Sequence, residues 1–359
     1  MKLAANIKLE CSDAQHKSLL NTLEVCNAAC DYISSVAWDK RVFGQYALHK
    51  LCYQDVKQKF SLNAQMTVRS IAKVADAYKL DKKTIRKFRK RAAQPYDDRI
   101  FKITKDNKVS ISAIDGREKI DYICGDYQKE LLKTRKGEVD LMYIRGIFYV
   151  ACVCDVNEQS NVEPEGVLGI DLGIVNIAVD STGKHYSGKD IDIYRKKMAN
   201  RRKNLQKKGT RSAKRKLKQI SGKQKRYQKD RNHCISKDIV ATAKRLSSSI
   251  ALEDLGSIRE GIKARKSQRA RMGNWGFHQL KSFVKYKAQL LGISVVEVDP
   301  KNTSRTCPQC QFVSKANRKT RDTFCCKQCD FSESADLVAA WNIQAKAVVN
   351  QPMVARMAC

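Results

Sequence analysis

Two CxxC pairs near the C-terminus constrain the fold of this chain more than any other feature. Cys307 and Cys310 form the first pair, and Cys326 and Cys329 form the second after an interval of fifteen residues. This spacing predicts a tetrathiolate zinc site, in which each pair lies on a tight turn and the loop between them completes a tetrahedron. Four protein ligands leave no open coordination position, so we expect this Zn²⁺ to be structural.

Neighbouring cysteines leave alternatives open. Cys325 lies next to Cys326 and could compete as a ligand, although the two-residue gap before Cys329 favours Cys326. A redox-active dithiol is the alternative to zinc. The other cysteines follow apolar patterns and are expected to be buried thiols, for example Cys26, Cys30, Cys152 and Cys154.

The chain is strongly basic: its 359 residues carry a formal net charge of +33. Such an excess repels itself unless a polyanion neutralises it. Nucleic acid is the expected partner, because lysine and arginine gain affinity by releasing counterions from phosphates. A basic protein of ribosomal type is the alternative.

Positive charge is densest at residues 195–231, where nearly half the residues are Lys or Arg and Asp230 is the single acid. Sparse apolar positions predict one or two charged helices, and the one-sided charge favours contact with nucleic acid over a solvated helix pair. The candidate contact residues are Arg201, Arg202, Lys203, Lys207, Arg211, Lys214, Arg215 and Lys218, together with Arg305.

The N-terminal half has the pattern of a β-rich module interrupted by helices. A strand at residues 3–10 is followed by helical spacing up to Ala92, and Pro95 ends that pattern. The period changes towards two over residues 100–156, which predicts strands. No apolar stretch is long enough to cross a membrane and no signal peptide is present, so we expect a cytoplasmic protein.

The second half begins after a short Pro/Gly-bearing connection at residues 161–166. Two apolar strands joined by a turn at residues 181–183 open it, and helices and strands alternate after the basic segment. This alternation predicts an α/β domain with a partly parallel sheet.

Three carboxylates of this half occupy positions where a charge is costly without a partner. Asp171 lies in an apolar strand between glycines that let other groups approach closely, and Glu253 ends an apolar strand. Asp336 lies in the first turn of a helix, where the helix dipole favours its ionised form. Taken one at a time, each acid is better explained as a salt-bridge or capping residue than as a metal ligand. Together they suit Mg²⁺, and two such ions would clamp the attacking water and the leaving oxygen of a phosphodiester. Asp254 could replace Glu253, because strand ends are hard to fix from sequence.

Four sequence blocks occur in an order that resembles the TnpB family. They are GIDLGIVNIAV, IALEDL, the four-cysteine segment and ADLVAAWNI, and the segment NWGFHQLKSFVKYKAQLLGISVVEVDPKNTSRTCPQC adds to the resemblance. TnpB proteins are RNA-guided nucleases encoded by insertion sequences and are related to compact type V CRISPR effectors. The motifs cover residues 166–345, whereas the N-terminal half is similar only in layout.

The resemblance implies a RuvC-type nuclease domain with an RNase H-like fold, in which Asp171, Glu253 and Asp336 are the catalytic acids and ligands of Mg²⁺. It also implies an N-terminal β-barrel-like wedge module interrupted by a helical recognition domain. The implied limits are 1–11 for the first wedge strand, 12–95 for the recognition domain, 96–160 for the wedge β module and 166–359 for the RuvC domain, with basic helices at 195–231 and a zinc knuckle at 303–333.

The implied activity is guided cleavage of DNA. Such a protein binds a guide RNA, recognises a short motif beside its target and hydrolyses double-stranded target DNA at one RuvC site, leaving a 5′-phosphate and a 3′-hydroxyl. A monomer on its RNA is expected, in a prokaryotic cytoplasm and associated with the nucleoid when bound to DNA.

The alternatives are a miniature type V CRISPR effector, a guided DNA-binding regulator and a strand-transferring transposase. The third family motif usually reads Asp-x-Asn-Ala-Ala, and Val338 here replaces the Asn, which leaves room for a regulator. All three acids are retained, which favours a nuclease. The zinc knuckle between the second and third acids favours TnpB over a transposase.

Overall fold

A computed structural model describes residues 1–254 and 276–350. The chain divides into two compact units, Met1–Asn157 and Glu158–Cys359. Within the described ranges, no helix combines the length and the apolar character needed to span a lipid bilayer. Residues Asn274 and Trp275 of the family-like segment, and the predicted domain limit at residue 359, lie outside the described residues.

The first unit is built on an antiparallel sheet in the order β2-β6-β7-β1-β5-β4-β3. The first strand of the chain is central, because it pairs with both β5 and β7. The strands are β1 (Lys2–Glu10), β2 (Gln94–Tyr96), β3 (Phe101–Ile103), β4 (Lys108–Ala113), β5 (Gly116–Ile123), β6 (Arg135–Ile144) and β7 (Ile147–Asp155).

Helices interrupt this sheet after β1 and after β5. They are α1 (Asp13–Asp39), α2 (Gln45–Phe60), α3 (Ala64–Leu80) and α4 (Asp126–Leu132). Ser12 caps α1 through a reciprocal capping box with Gln15. The expected buried thiols are confirmed, since the core of this unit includes Cys26, Cys30, Cys152 and Cys154.

The prediction of helix up to Ala92 is wrong, because α3 ends at Leu80. The carboxylate of Asp81 accepts a hydrogen bond from the Lys83 backbone N–H at 2.7 Å and another from the Thr84 hydroxyl at 3.1 Å. Such local side-chain bonds offer the backbone an alternative to the helix. The apolar residues keep a helical spacing up to Ala92, but the helix itself ends at Leu80.

The second unit is a mixed α/β layer structure. Its strands are β8 (Gly166–Asp171), β9 (Asn176–Asp180), β10 (His185–Ser187), β11 (Ser248–Glu253), β12 (Val295–Val298), β13 (Thr323–Cys325) and β14 (Ser332–Ser334). Its helices are α5 (Lys189–Lys208), α6 (Arg211–Ile220), α7 (Lys223–Arg245), α8 (Phe277–Leu290) and α9 (Ala335–Asn350). The basic segment thus extends over parts of three helices rather than the one or two expected.

The main sheet of this unit has the order β10-β9-β8-β11-β12. Strand β11 lies parallel to β8 and β12, whereas β9 runs antiparallel to β8 and β10, so the expectation of a partly parallel sheet is confirmed. One face packs against α7 and α8 through residues such as Ile239 and Val284. The other face packs against α9 through Ile343 and Ala347.

The start of this unit contains three strands where the sequence predicted two. The turn at residues 181–183 joins β9 to β10, and a second reversal separates β8 from β9. Gly173 permits that reversal, because a Cβ at this position would lie 2.5 Å from the carbonyl oxygen of Asn176. The reversal ends β8 at Asp171 and begins β9 at Asn176.

Candidate active site and metal centre

Asp171 and Glu253 lie at the carboxyl ends of neighbouring parallel strands. They are the last residues of β8 and β11, and the register pairs Ile170 with Leu252 directly before them. Side chains alternate along a strand, and Ala251 packs in the cluster that α9 covers. The two carboxylates therefore share the face of the sheet that carries α9.

Asp336 joins this edge from the first turn of α9. The Asn176 amide donates to its Oδ2 at 2.9 Å, and an Nη2 of Arg318 lies 3.7 Å from its Oδ1. The helix comes this close because β8 carries glycine at position 169. A Cβ on Gly169 would lie 2.2 Å from the carbonyl oxygen of Ala340, one turn beyond Asp336.

The charges of Glu253 and Asp336 act on the buried carboxyl group of Asp171. The pKa of Asp171 is raised to about 7, first by burial and then by the charges of Glu253 and Asp336, while Arg318 opposes the rise. Burial also raises the pKa of Glu253, which a hydrogen bond from Thr303 partly offsets. Negative charges therefore face one another in a poorly solvated site. A divalent cation relieves such repulsion, so this donor set fits Mg²⁺.

The oxygen atoms of the three carboxylates are spaced more widely than the ligand atoms of a compact metal site. Within the described residues, the four cysteines described below are the group of potential ligands whose donor atoms all lie within 4.8 Å of one another. Mg²⁺ usually keeps several waters and takes oxygens from a substrate phosphate, so a more open set of acids is compatible with it.

Glu253, and not Asp254, faces the α9 side of the sheet. Glu253 is 9% exposed, and its Oε1 accepts a hydrogen bond from the Thr303 hydroxyl at 2.5 Å. The side chain of Asp254 is 60% exposed and lies 3.4 Å from the Lys281 ammonium. The geometry therefore favours Glu253 as the metal-ligating acid, a role for which the sequence allowed either Glu253 or Asp254.

The cysteines of the two CxxC pairs come together beside the β13–β14 hairpin. The Sγ atoms of Cys307 and Cys329 lie 3.6 Å apart, and those of Cys310 and Cys326 lie 3.5 Å apart. Four thiolates around a zinc ion at about 2.3 Å have S–S separations of roughly 3.8 Å, so the cluster fits Zn²⁺. Cys325 is not among the four clustered cysteines.

Val338, the departure from the family motif, is fully buried. It packs in an apolar cluster with Cys307, Phe324 and Cys326, which places it between α9 and the zinc knuckle. An apolar side chain suits this environment, because a buried amide would need hydrogen-bond partners there.

Sequence reasoning missed Asn176, Thr303 and Arg318, which contact the three acids. Asn176 could have been found from the Gly173 reversal, which returns the chain beside the end of β8. No local pattern marks Thr303 or Arg318, because both reach the acids through contacts distant in sequence.

The candidate nucleic-acid contacts lie mainly on two consecutive helices. Arg201, Arg202, Lys203 and Lys207 belong to α5, and Arg211, Lys214, Arg215 and Lys218 belong to α6. All are exposed except Arg202, which is half-buried and donates to Gln224 at 3.1 Å. Arg305 is exposed two residues before Cys307. No acid interrupts the sequence between Asp192 and Asp230.

Two family models match this chain. The model described as "Cas12f1-like, TNB domain" matches residues 277–343, which include α8, β12 and the zinc knuckle. The OrfB_IS605 model, described as "Probable transposase", matches residues 151–256, which include β8 and β11. The matched segments therefore contain Asp171, Glu253 and the four clustered cysteines.

The curated relatives that match this chain include TnpB-like and Cas12f1 proteins. A TnpB-like protein of Methanocaldococcus jannaschii is 28% identical over 259 residues, which cover 68% of this chain and 92% of that protein. The CRISPR-associated endodeoxyribonuclease Cas12f1 of Sulfoacidibacillus thermotolerans is 29% identical over 214 residues. That alignment covers 55% of this chain and 49% of Cas12f1, so the chain spans about half of that longer relative.

The fold is shared with a solved effector. The cryo-EM structure of a Cas12f1–sgRNA–target DNA complex matches with a TM-score of 0.58 at 17% identity, covering 91% of this chain and 82% of that one. The fold is therefore similar to that of Cas12f1, and the sequence is similar to TnpB-like and Cas12f1 proteins. The resemblance found in the motifs is confirmed, since the chain is similar to TnpB-like proteins in sequence.

Proposed function

We propose that this protein is an RNA-guided DNA endonuclease of the kind encoded by insertion sequences. It binds a guide RNA, recognises a short DNA motif beside the target and hydrolyses the phosphodiester bonds of double-stranded DNA at one RuvC site. Mg²⁺ is its catalytic metal and Zn²⁺ its structural metal.

The observation that carries this proposal is the convergence of Asp171, Glu253 and Asp336 on one edge of a mixed sheet. The strand order β10-β9-β8-β11-β12, with β9 antiparallel, is the arrangement expected of an RNase H-like domain. Acids at the carboxyl ends of two parallel strands lie beside the helix N-terminus that carries the third acid, and such carboxylates suit the Mg²⁺ used in phosphodiester hydrolysis.

The residues of the chain have separate tasks in the reaction. Asp171, Glu253 and Asp336 would hold Mg²⁺, which supplies activation of water and neutralisation of charge on the phosphate. Asn176 orients Asp336 through its 2.9 Å hydrogen bond. Arg318 adds positive charge beside the acids, where a phosphate group carries its negative charge.

The charge of the chain supports nucleic acid as the partner. Exposed lysines and arginines of α5 and α6 provide a surface that attracts phosphates without sequence preference. Base pairing with a guide would supply sequence recognition, while the protein reads the shape of the heteroduplex. We assign residues 1–11 and 96–160 to a wedge module, 12–95 to a recognition domain and 166–359 to the RuvC domain.

A miniature CRISPR effector is the second candidate, because 29% identity also relates the chain to Cas12f1. The match of residues 151–256 to the OrfB_IS605 model favours the insertion-sequence type. Sequencing the RNA that copurifies with the protein separates the two: a guide derived from a transposon end supports the first, and a CRISPR repeat supports the second.

The decisive experiment is plasmid cleavage by the copurified protein–RNA complex in Mg²⁺. Asp171→Ala and Glu253→Ala should abolish cutting while RNA binding remains, and Asp254→Ala should cut at a rate close to that of the unmodified protein. Cutting by Asp171→Ala would show that the site is assigned wrongly. If the unmodified complex binds its matched target without cutting it, the protein is a guided regulator. Joined DNA products would instead indicate a transposase.

A further inference from the structure

We infer that Thr303 is a positioning residue for Glu253 and that Asn342 fixes Thr303 to α9. The two residues then connect the acid at the end of β11 with the helix that carries Asp336 and with the first CxxC pair of the zinc knuckle. This inference rests on the proposed function in one respect, namely that Glu253 is a ligand of the catalytic metal.

The first step is the contact between Thr303 and Glu253. Thr303 is 3% exposed, and its Oγ1 lies 2.5 Å from Glu253 Oε1 and 3.0 Å from the Pro300 carbonyl oxygen. A hydroxyl has one proton to donate, and the shorter contact to an ionised acceptor is the stronger bond. The hydroxyl therefore donates to Glu253 and limits the rotation of its carboxylate.

The second step is the anchoring of Thr303. The amide nitrogen of Asn342 donates to the Thr303 carbonyl oxygen at 2.7 Å and to the Thr306 carbonyl oxygen at 2.8 Å. Asn342 is 6% exposed, so both N–H groups are used inside the protein. The turn that carries Thr303 is thereby held to the side of α9.

The third step joins these contacts into one chain of interactions. Asn342 lies on the same helix as Asp336, and Thr306 directly precedes Cys307, the first cysteine of the knuckle. Partners that orient a metal-ligating carboxylate typically change metal affinity or activity by about 10-fold to 100-fold when they are removed. The geometry thus gives Thr303 and Asn342 a role in the metal site that acts through Glu253.

The test measures binding of Mn²⁺ to the full-length protein–RNA complex by electron paramagnetic resonance, with DNA cleavage as a second readout. Thr303→Val, which keeps the shape of the side chain and removes the hydroxyl, should weaken Mn²⁺ binding by about 10-fold or more. Thr303→Ser keeps the hydroxyl and should bind within about threefold of the unmodified protein. Asn342→Ala should weaken Mn²⁺ binding in the same direction as Thr303→Val.

Thr67→Val is the matched control, because Thr67 is also a buried threonine and its hydroxyl donates to the Asn63 carbonyl oxygen at 3.0 Å in the first unit. It should bind Mn²⁺ like the unmodified protein. If Thr303→Val does not fold, the Mn²⁺ affinity of Asn342→Ala tests the inference instead, because this variant leaves the Thr303 hydroxyl in place. Unchanged affinity in Asn342→Ala then contradicts the inference.

Unchanged Mn²⁺ affinity in Thr303→Val, or an equal loss in Thr303→Ser, overturns the inference, and so does an unmodified protein that binds no Mn²⁺ at this site. A complex that binds Mn²⁺ in the expected order but never cuts DNA contradicts the proposed nuclease function and leaves the positioning role supported. The two failures are therefore distinguishable.

Discussion

The carbonyl oxygen of Ala340 lies where a side chain on Gly169 would begin, 2.2 Å from the position of the missing Cβ. The backbone of α9 thus rests directly on β8, two residues before Asp171 and one turn after Asp336. This contact sets the distance between two of the three acids, because any side chain at position 169 would push the helix away from the strand.

Gly169→Ala should therefore impair both stability and cleavage. Overpacking of this kind costs about 1 to 3 kcal/mol in the free energy of unfolding, and a displacement of about 1 Å at a catalytic group lowers rates by roughly 100-fold. Denaturant unfolding and single-turnover cleavage measure the two effects. Gly44→Ala is the control, since a Cβ there has no atom within 4 Å. Normal cleavage by Gly169→Ala would show that this packing does not position Asp336.

The strands and the separate motifs could be predicted from sequence, because hydrophobic period and cysteine spacing are local signals. Glu253 ends its strand and the four cysteines cluster as those signals predict. Local sequence signals do not show which side chains form hydrogen bonds with residues far away along the chain. The hydrogen bond from Thr303 to Glu253 joins residues fifty positions apart, and no local pattern marks it.

The errors have equally physical causes. The first strand of the second unit was predicted too long, because its apolar residues continue through the reversal at Gly173. Helix α3 was predicted too long because apolar spacing persists beyond Leu80. In the structure the helix ends there, and the Asp81 carboxylate accepts a hydrogen bond from the Lys83 backbone N–H. In both places a single short contact outweighs the periodic pattern.

Without Mg²⁺, Asp171 should make the protein less stable as pH rises. Its pKa is about 7 in the folded protein, whereas a carboxyl in the unfolded chain titrates near pH 4. The folded state therefore holds an extra proton between these values, and the free energy of unfolding falls as pH rises from about 4 to about 7. The loss reaches a few kcal/mol, at about 1.4 kcal/mol per pH unit.

Asp171→Asn should lack this loss, and saturating Mg²⁺ should reduce it in the unmodified protein. Urea unfolding in magnesium-free buffer across this pH range measures the difference. Asp126→Asn, at an exposed position in α4, should keep the pH dependence of the unmodified protein. A parallel pH dependence in Asp171→Asn and the unmodified protein would argue against a protonated Asp171.

The adjacent cysteines Cys325 and Cys326 offer a sharp test of the zinc site. Cys326→Ser should lose bound zinc, because it removes one of the four thiolates of the cluster, while Cys325→Ser should retain one zinc per chain. Elemental analysis of the purified variants measures the zinc content. Loss of the metal should also lower the melting temperature, since Cys326 and Val338 share one apolar cluster at the base of α9. Zinc loss from Cys325→Ser instead would reverse the ligand assignment.

The basic helix α6 should contribute to RNA affinity through phosphate contacts. The double substitution Lys214→Ala with Lys218→Ala removes two exposed positive charges from it. Each lost contact lowers the salt dependence of binding by about one unit in the slope of log K against log salt. Filter binding between about 50 and 200 mM salt measures that slope. Lys129→Ala is the control, because its ammonium already pairs with Asp126 at 3.2 Å. An unchanged slope in the double variant would place the RNA elsewhere on the protein.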